Sequence, residues 1–284
     1  MSNTMTLSAR YLQKIGFDRE VQHTHADLQE LLIRHIQSIP FGNIAPFLHQ
    51  TVSLDIEDIA AKLLDQGREG YCHEQNILTK TVLLELGFEA FNLLGRVYYQ
   101  NMHLHAPPRT HLVTMVKLDQ QLYLFDPGFG GMTPTGVLAI DQVNQIQQTP
   151  FESFRLIDVK DAGVAPSALS EMKLMLQAYV KETWINIYAF NPEQIAVDAD
   201  INLANWYVST SPKSLFTNHL IVSSIQAGQR KSLSNQVLSE HAPTGTRKHP
   251  LESEVELKAA LENIFQLNTA DIDMAALLEK LSTK

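Results

Sequence analysis

The chain has 284 residues, 44% of them hydrophobic and 8% aromatic, enough apolar surface for one large domain or for about two to three small ones. Its formal net charge of −9 disfavours binding to nucleic acid or anionic lipid, since both are negatively charged. Residues 1–20 contain no apolar run of signal-peptide length, and no apolar segment is as long as a membrane span. A cytoplasmic protein is therefore expected.

The N-terminal third has the periodicity of amphipathic helices. One apolar stripe follows the potential N-cap Thr24 and comprises Leu28, Leu31, Leu32, His35 and Ile36. A second stripe follows Asp55 and comprises Ile56, Ile59, Ala60, Leu63 and Leu64. Gly67 is expected to end this helix, because glycine adopts the left-handed backbone conformation without strain. A third helix is predicted to begin at Cys72 and to stop at Gly87. The cysteine is thus expected at a helix N-terminus.

The pattern changes near residue 91. Runs rich in β-forming residues at 97–99, 111–118 and 122–126 predict strands, with a hairpin turn at 119–121. Helical periodicity is weak in the middle of the chain, and residues 205–225 are predicted to form further strand with breaks at Pro212 and Asn218. A capping box of Ser253 and Glu256 begins a C-terminal helix, which a short last helix follows. These elements predict an α+β fold whose strands form a sheet or a small barrel.

Cys72 is the only cysteine, so neither an intrachain disulfide nor a cysteine-rich zinc site can form. It lies in the segment GREGYCHEQN, residues 67–76, where its neighbours are polar or charged. A cysteine that only fills space usually lies among aliphatic side chains, which this segment lacks. The setting indicates a reactive thiol.

A nucleophilic thiol needs a base that ionises it and a third group that orients the base. His111 begins one predicted strand and Asp126 ends the next, so simple antiparallel pairing about the turn makes them near neighbours. The aspartate would hold the imidazole in one tautomer and stabilise its protonated form. An imidazolium at His111, the helix dipole and Arg68 would together favour a thiolate at Cys72.

Other patterns have simpler interpretations. Two His-x-His pairs, at 23 and 25 and at 103 and 105, lack a third metal ligand at a recognised spacing and are expected to be loop histidines. The glycine run at 128–131 lacks the lysine of a P-loop. Four basic residues are expected to form a solvated face: Arg230, Lys231, Arg247 and Lys248. No metal site is predicted.

Five motifs cover most of the chain in a specific order. They are IPFGN at 39–43, REGYC at 68–72, PRTH at 108–111, DPGFGG at 126–131 and SPKSLFTNHLIVS at 211–223. In these motifs the chain resembles the arylamine N-acetyltransferase family, whose hallmark is an Arg-Gly-Gly-aromatic-Cys segment. The resemblance implies a catalytic triad of Cys72, His111 and Asp126, of the kind found in cysteine proteases.

The resemblance also implies an architecture. An N-terminal helical bundle at residues 1–90 would carry the cysteine, and a central β-barrel at 91–204 would carry the histidine and the aspartate. A C-terminal α/β lid would follow at 205–284. The expected fold class is therefore α+β.

By the same resemblance, the activity is ping-pong transfer of an acetyl group from acetyl-CoA, through a Cys72 thioester, to an arylamine, hydrazine or N-hydroxyarylamine. Acetyl-CoA is a co-substrate, and no bound cofactor is expected. The residues implied to contact CoA are Thr110, Gly130, Gly131 and Phe216. Those implied to line an apolar pocket for a flat acceptor are Phe41, Val97, Phe129 and Phe216. Backbone N–H groups of Cys72 and of the segment around Thr110 would hold the oxyanion.

Two positions depart from the family pattern. The family has a glutamate where this chain has Gly42, and a glycine where this chain has Glu69. We hypothesise that Glu69 supplies the carboxylate partner of Arg68 from the neighbouring position. A buried unpaired guanidinium would otherwise destabilise the fold by roughly 3 to 5 kcal/mol.

Other functions stay open at this point. An amide synthase fed by another acyl thioester would use the same site with a different donor and acceptor. A papain-like or transglutaminase-like hydrolase shares the order Cys, His, Asp. A scaffold that binds an aromatic molecule or CoA without turnover is disfavoured, because it has no need of an activated thiol. The natural acceptor and the oligomeric state are not indicated by the sequence.

Overall fold

The computed structural model describes residues 5–100, 105–226, 228–242 and 245–283. Its helices are α1 (Leu7–Lys14), α2 (His25–Ser38), α3 (Ile44–Phe47), α4 (Ile56–Ala60), α5 (Cys72–Glu85), α6 (Pro166–Leu169), α7 (Asp198–Thr210), α8 (Leu215–Asn218), α9 (Glu254–Ala259) and α10 (Met274–Ser282). Its strands are β1 (Phe41–Gly42), β2 (Glu89–Val97), β3 (Arg109–Leu118), β4 (Gln121–Phe125), β5 (Leu138–Ala139), β6 (Gln147–Gln148), β7 (Ser153–Asp158), β8 (Leu174–Val180), β9 (Thr183–Phe190), β10 (Ile221–Gln226), β11 (Gln229–Ser234), β12 (Val237–Ala242) and β13 (Gly245–Pro250).

The helices of the N-terminal third follow their sequence signals. The Thr24 side chain accepts a hydrogen bond from the Asp27 N–H and so caps α2. A π-helical turn, Ala61–Asp65, extends α4, and Gly67 beyond it adopts a φ of +66°, where a Cβ would be strained. The third helix, α5, begins at Cys72 as predicted. Apolar faces of α1, α2, α4 and α5 share one core.

The larger sheet is a nearly closed barrel. Eight strands pair antiparallel in the order β5-β4-β3-β2-β9-β8-β7-β6. Alternate side chains of these strands fill the interior, among them Leu93, Val113, Leu176 and Phe190. Together with the helices, the barrel confirms the mixed α and β character predicted from the sequence.

The hairpin of β3 and β4 differs in register from the expectation. Asp119 and Gln120 both have positive φ and form a two-residue turn, so Leu118 lies opposite Gln121. This register does not place His111 directly opposite Asp126; on its other side His111 pairs with Gly95 of β2. The simple pairing was therefore wrong by two residues. His111 is instead a diagonal neighbour of Asp126 on the same face of the sheet, and long side chains can bridge that separation.

The smaller sheet joins the beginning of the chain to its end. Its five strands pair antiparallel in the order β1-β10-β11-β12-β13, with Gly42 opposite Val222. Helices α9 and α10 cover it, and the capping box of Ser253 and Glu256 begins α9 as predicted. The IPFGN motif is thereby fixed to the C-terminal third.

Two regions were assigned incorrectly from the sequence. The middle of the chain, with its weak helical periodicity, is mainly strand, from β5 to β9. About half of residues 205–225, predicted as strand, belongs to α7 and α8, and only the last five residues join β10. The buried positions of α7 are spaced three and four apart, at Ile201, Ala204, Asn205 and Val208, so burial on one helical face outweighs the β propensity of the run.

The three-domain division stays a prediction, although α7 runs across its boundary at residue 204. None of the helices in the described ranges is long and apolar enough to cross a bilayer.

Candidate active site

The loop that carries Cys72 is held from two sides. The Gly42 N–H donates to the Gly70 carbonyl at 3.0 Å, which ties the loop to β1. The Gln75 side-chain amide donates to the same carbonyl at 2.7 Å. The Glu74 carboxylate accepts from the Tyr71 N–H at 3.0 Å and so satisfies one free donor at the start of α5. Cys72 is thus buried, at 4% exposure, on the first turn of a helix.

The side chains of His111 and Asp126 form a buried pair. Nε2 of His111 lies 2.8 Å from Oδ2 of Asp126, and both residues are almost fully buried. The other carboxylate oxygen, Oδ1, accepts from the Gly128 N–H at 3.0 Å and from the Asn76 amide at 3.1 Å. Every oxygen of this carboxylate therefore has a donor, which fixes the orientation of the imidazole.

Asn76 connects this pair to the cysteine helix and was missed in the sequence analysis. Its amide also donates to the Leu112 carbonyl at 2.9 Å, and its Oδ1 accepts from the Thr114 hydroxyl at 2.9 Å. Asn76 lies four residues after Cys72 and so shares its helical face. A Cβ on Gly128 would lie 2.6 Å from the Asn76 amide, so only glycine permits this close approach. The i+4 spacing was the one signal that could have identified Asn76.

A β-bulge shapes the other wall. Gly95 pairs with His111 and Arg96 with Arg109, which leaves Thr110 unpaired between them. The Thr110 carbonyl lies 3.8 Å from Sγ of Cys72. The bulge thus turns the backbone just before His111 toward the sulfur.

Opposing electrostatic effects set the ionisation of the site. Burial alone would raise the pKa of Cys72, but the electrostatic effect of His73 and the hydrogen bond from His111 lower it to about 6. Burial would lower the pKa of His111, but the Asp126 carboxylate and the Cys72 sulfur raise it to about 10. Burial also opposes the ionisation of Asp126, yet His111 keeps the pKa of that carboxyl below its usual value. At neutral pH these directions favour a thiolate beside an imidazolium.

Aromatic rings enclose the sulfur and the imidazole. Phe129 meets the His111 ring edge-on at 5.0 Å, and Tyr188 lies 4.6 Å from that ring. On the other side, Phe41 and Phe216 lie 5.9 Å apart in one buried cluster with Cys72. Val97 pairs with Tyr188 in the barrel, and Tyr188 in turn lies beside the His111 ring. The predicted acceptor-pocket residues therefore lie on two sides of Cys72 and His111.

The predicted CoA-contacting glycines lie on the loop that follows Asp126. Gly130 has a φ of +88°, and a Cβ there would lie 2.9 Å from the Phe41 ring, whereas a Cβ on Gly131 would enter open space. Arg230 donates to the carbonyls of Gly131 and Thr133 at 3.1 and 2.8 Å.

Arg230 was expected on a solvated face, and that expectation was wrong. It is 6% exposed, and Glu152 lies 2.6 Å from its guanidinium. Two carbonyls and one carboxylate satisfy its charge, which explains how it is buried. Arg247 and Lys248 are exposed, as expected.

The two positions that depart from the family pattern lie in contact. Nε of Arg68 is 3.3 Å from Oε2 of Glu69, and both side chains are buried. A Cβ on Gly42 would lie 2.3 Å from Cγ of Glu69. The Glu69 side chain therefore occupies the space that any side chain at position 42 would need.

The described residues contain no group of three or more His, Cys, Asp and Glu that could hold a metal ion. His23 donates to the Leu86 carbonyl at 2.7 Å, and His25 packs against Tyr123, while His103 lies outside the described residues. A cavity of about 460 Å³ lies away from Cys72, between His25, Gln29, Gln121 and Tyr123. Its glutamines Gln29 and Gln147 bond backbone groups, so it has the character of a structural gap.

Comparison with known proteins identifies related sequences. Residues 24–274 match a family model described as N-acetyltransferase. An arylamine N-acetyltransferase of Mycobacterium tuberculosis is 34% identical over 273 residues, 95% of this chain and 92% of the relative. An arylamine N-acetyltransferase / N-hydroxyarylamine O-acetyltransferase of Salmonella typhimurium is 32% identical over 195 residues, 69% of this chain and 64% of the relative.

Solved structures agree with the sequence relatives. The structure of Mycobacterium marinum arylamine N-acetyltransferase in complex with CoA superimposes with a TM-score of 0.87 at 33% identity, covering 96% of this chain and 97% of that one. The fold and the motifs thus define an N-acetyltransferase of the acyltransferase class. The chain belongs to the arylamine N-acetyltransferase family.

Proposed function

We propose that this chain transfers an acetyl group from acetyl-CoA to arylamines through a covalent thioester on Cys72. The observation that carries the proposal is the Cys72 thiol at the start of α5, in a site that contains a buried His111–Asp126 pair. The lowered pKa of that thiol is consistent with it. Family membership and the CoA complex of a related protein support acetyl-CoA as the donor. Cys72, His111 and Asp126 are the proposed catalytic triad.

The first half-reaction charges the enzyme. The Cys72 thiolate attacks the acetyl carbonyl, the bond between carbonyl and CoA sulfur breaks, and CoA leaves with the proton of His111. Backbone N–H groups of Cys72, at the start of α5, and of the segment around Thr110 would stabilise the developing oxyanion. Asp126 stabilises the imidazolium before the transfer and holds the neutral ring in one tautomer after it.

The second half-reaction releases the acetyl group. An arylamine nitrogen attacks the thioester, His111 removes its proton, and the Cys72 thiolate is regenerated. Phe41, Val97, Phe129 and Phe216 would hold the flat acceptor against the thioester. Thr110, Gly130 and Gly131, with Phe216, would contact CoA. Hydrazines and N-hydroxyarylamines present similar nucleophiles, and the Salmonella relative is also named as an N-hydroxyarylamine O-acetyltransferase.

Intact-protein mass spectrometry tests the proposal directly. Mixing with acetyl-CoA alone should add one acetyl group, and a later addition of an aniline or a hydrazine should remove it. Cys72→Ser should gain no mass, because the chain has no other cysteine. We also propose that the protein is cytoplasmic and that its acceptors include xenobiotic amines.

The same measurement separates the alternatives. If acetyl-CoA gives no adduct but a longer acyl thioester does, the result would indicate an amide synthase. The comparisons do not support that alternative. Hydrolysis of a peptide without CoA would indicate a hydrolase. An unmodified thiol with every donor would indicate a scaffold.

A further inference from the structure

The sulfur of Cys72 has a second imidazole neighbour. Nδ1 of His73 lies 3.4 Å from Sγ, and the His73 side chain is fully buried. Side chains at adjacent helix positions usually diverge. Here the two residues occupy the first turn of α5, where the histidine ring lies against the sulfur.

The hydrogen bonds of His73 indicate which way its proton faces. Within the described part of the chain, Nε2 of His73 has no hydrogen-bond partner, and the ring otherwise meets the edge of Tyr71 at 5.5 Å. A neutral imidazole carries one donor and one acceptor nitrogen. A buried donor without a partner is rarer than a buried acceptor without one. The proton therefore belongs on Nδ1, from which it is donated to sulfur.

His73 and His111 differ in what lies behind them. Nε2 of His111 faces the Asp126 carboxylate, which allows that ring to gain and lose a proton at little cost. Nε2 of His73 faces no such group among the described residues. A ring of this kind is suited to donating a hydrogen bond and is poorly suited to shuttling protons.

We propose that His73 is a second catalytic imidazole, which donates a hydrogen bond from Nδ1 to the Cys72 thiolate and holds the sulfur in place while His111 alone transfers protons. The inference rests on the proposed function in taking Sγ as the acyl carrier. The hydrogen bond is strong to the thiolate and weak to a thioester sulfur, so His73 stabilises the free enzyme more than the acetylated one.

The electrostatics of the site are consistent with this role. The hydrogen bond from His73 favours the ionised thiol against the effect of burial. Other ionisable groups also lie near Cys72 and His73. They are His111 on β3, with Asp126 behind it, Tyr71 just before α5, and Glu74 on α5. The Glu74 carboxylate is already paired with Lys62 at 2.6 Å and with the Tyr71 N–H.

The test is the pH dependence of alkylation by iodoacetamide between about pH 5 and about pH 10, where a thiol of lowered pKa titrates. Cys72 is the only thiol, so the rate reports that group alone. His73→Phe keeps an aromatic ring beside Tyr71 but removes the donor. His73→Asn keeps an N–H at about the position of Nδ1. His35→Phe removes another fully buried histidine, one that contacts Tyr11 and Gln75, and is the matched control.

We expect the rate profiles of wild type and His73→Phe to cross. For each unit by which the pKa of the thiol rises, the rate should fall about threefold at low pH and the plateau at high pH should rise about threefold, since thiolate nucleophilicity follows a Brønsted slope of about 0.4–0.5. His73→Asn should restore the wild-type midpoint. His35→Phe should lower thermal stability without moving the midpoint.

Three results would overturn the proposal: superimposed profiles, a rate for His73→Phe reduced equally at every pH, or a His73→Asn profile that follows that of His73→Phe. If His73→Phe does not fold, His73→Asn and His73→Leu make the same comparison. The readout needs no acyl donor. A wild type that is never acetylated by acetyl-CoA would thus refute the proposed function, while a missing shift would refute the role of His73.

Discussion

Two buried ion pairs near Cys72 are built in different ways. In the pair of His111 and Asp126, both carboxylate oxygens accept hydrogen bonds, from His111, Gly128 and Asn76. In the pair of Arg68 and Glu69, the contact is 3.3 Å long, and Oε1 of Glu69 has no hydrogen-bond partner in the described ranges. Directional hydrogen bonds hold the Asp126 carboxylate in place. The Glu69 side chain is instead held by packing, in the space left by the missing side chain of Gly42. The difference suggests a chemical role for the first pair and a structural role for the second.

Asp126→Asn tests the first pair and should have the largest effect. The amide keeps the shape and still accepts from Gly128, but it does not stabilise an imidazolium at His111. We expect kcat to fall by about 10³ to 10⁴ with the fold retained, as for the equivalent change in a serine-protease triad. Steady-state acetylation with circular dichroism checks it. Asp141→Asn, an exposed carboxylate bonded to Gln121, is the matched control and should keep full activity. A loss of less than about tenfold would contradict the assigned role.

The second pair should respond in stability. Glu69→Gly leaves Arg68 buried without its partner and should lower the free energy of unfolding by about 3 to 5 kcal/mol. Gly42→Glu alone should also destabilise, because its Cβ would lie 2.3 Å from Cγ of Glu69. The double variant moves the carboxylate from the loop before α5 to β1 and should recover most of the loss. Urea unfolding of all four proteins gives the coupling energy.

Additive losses in that cycle would mean that the two positions act independently. A Glu69→Gly protein that folds and acetylates normally would show that Arg68 needs no carboxylate.

The smallest expected effect concerns the pH dependence of stability. The pKa of His111 is raised from 6.5 to about 10, so its contribution to stability is lost as pH rises through that interval. The pKa of Cys72 is lowered from 9.0 to about 6, so its contribution is gained as pH rises and is lost on acidification through about 6. The two slopes oppose each other between about 6.5 and about 9 and nearly cancel.

Cys72→Ala removes one of the opposing slopes. Its free energy of unfolding should fall with increasing pH above about 6.5, by up to about 1 kcal/mol per pH unit, whereas that of wild type should change little. The fall should end below pH 10, because the sulfur that helps raise the pKa of His111 is gone and Asp126 alone raises it. Urea unfolding across this interval measures both. Parallel curves for the two proteins would show that the thiol and the imidazole are not paired.

The sequence was sufficient for features that depend on local signals. Helix α5 and its N-terminal cysteine follow from periodicity and from the glycines that flank it, and the contact of His111 with Asp126 follows from their positions at two strand ends. The register of that hairpin was wrong because its two-residue turn, at Asp119 and Gln120 with positive φ, lies one residue later than direct pairing of His111 with Asp126 requires.

Features that depend on distant partners were not predictable. Arg230 resembles any surface arginine in the sequence, since its partners Glu152, Gly131 and Thr133 lie far away along the chain. The helical state of α7 depends on the face that it buries, which a run of β-forming residues conceals. The sequence around His73 contains no pattern that distinguishes a buried ring beside the sulfur from a solvent-exposed ring.

The pairing of Gly42 with Val222 has a consequence for how the protein is made. At roughly 5 to 20 residues per second, a ribosome produces Cys72, His111 and Asp126 several seconds before β10. During that interval Phe216 and β10 have not yet closed over the thiol. Nascent chains are therefore expected to be more sensitive to oxidants and electrophiles than the finished enzyme, so damage under stress should depend on the rate of translation.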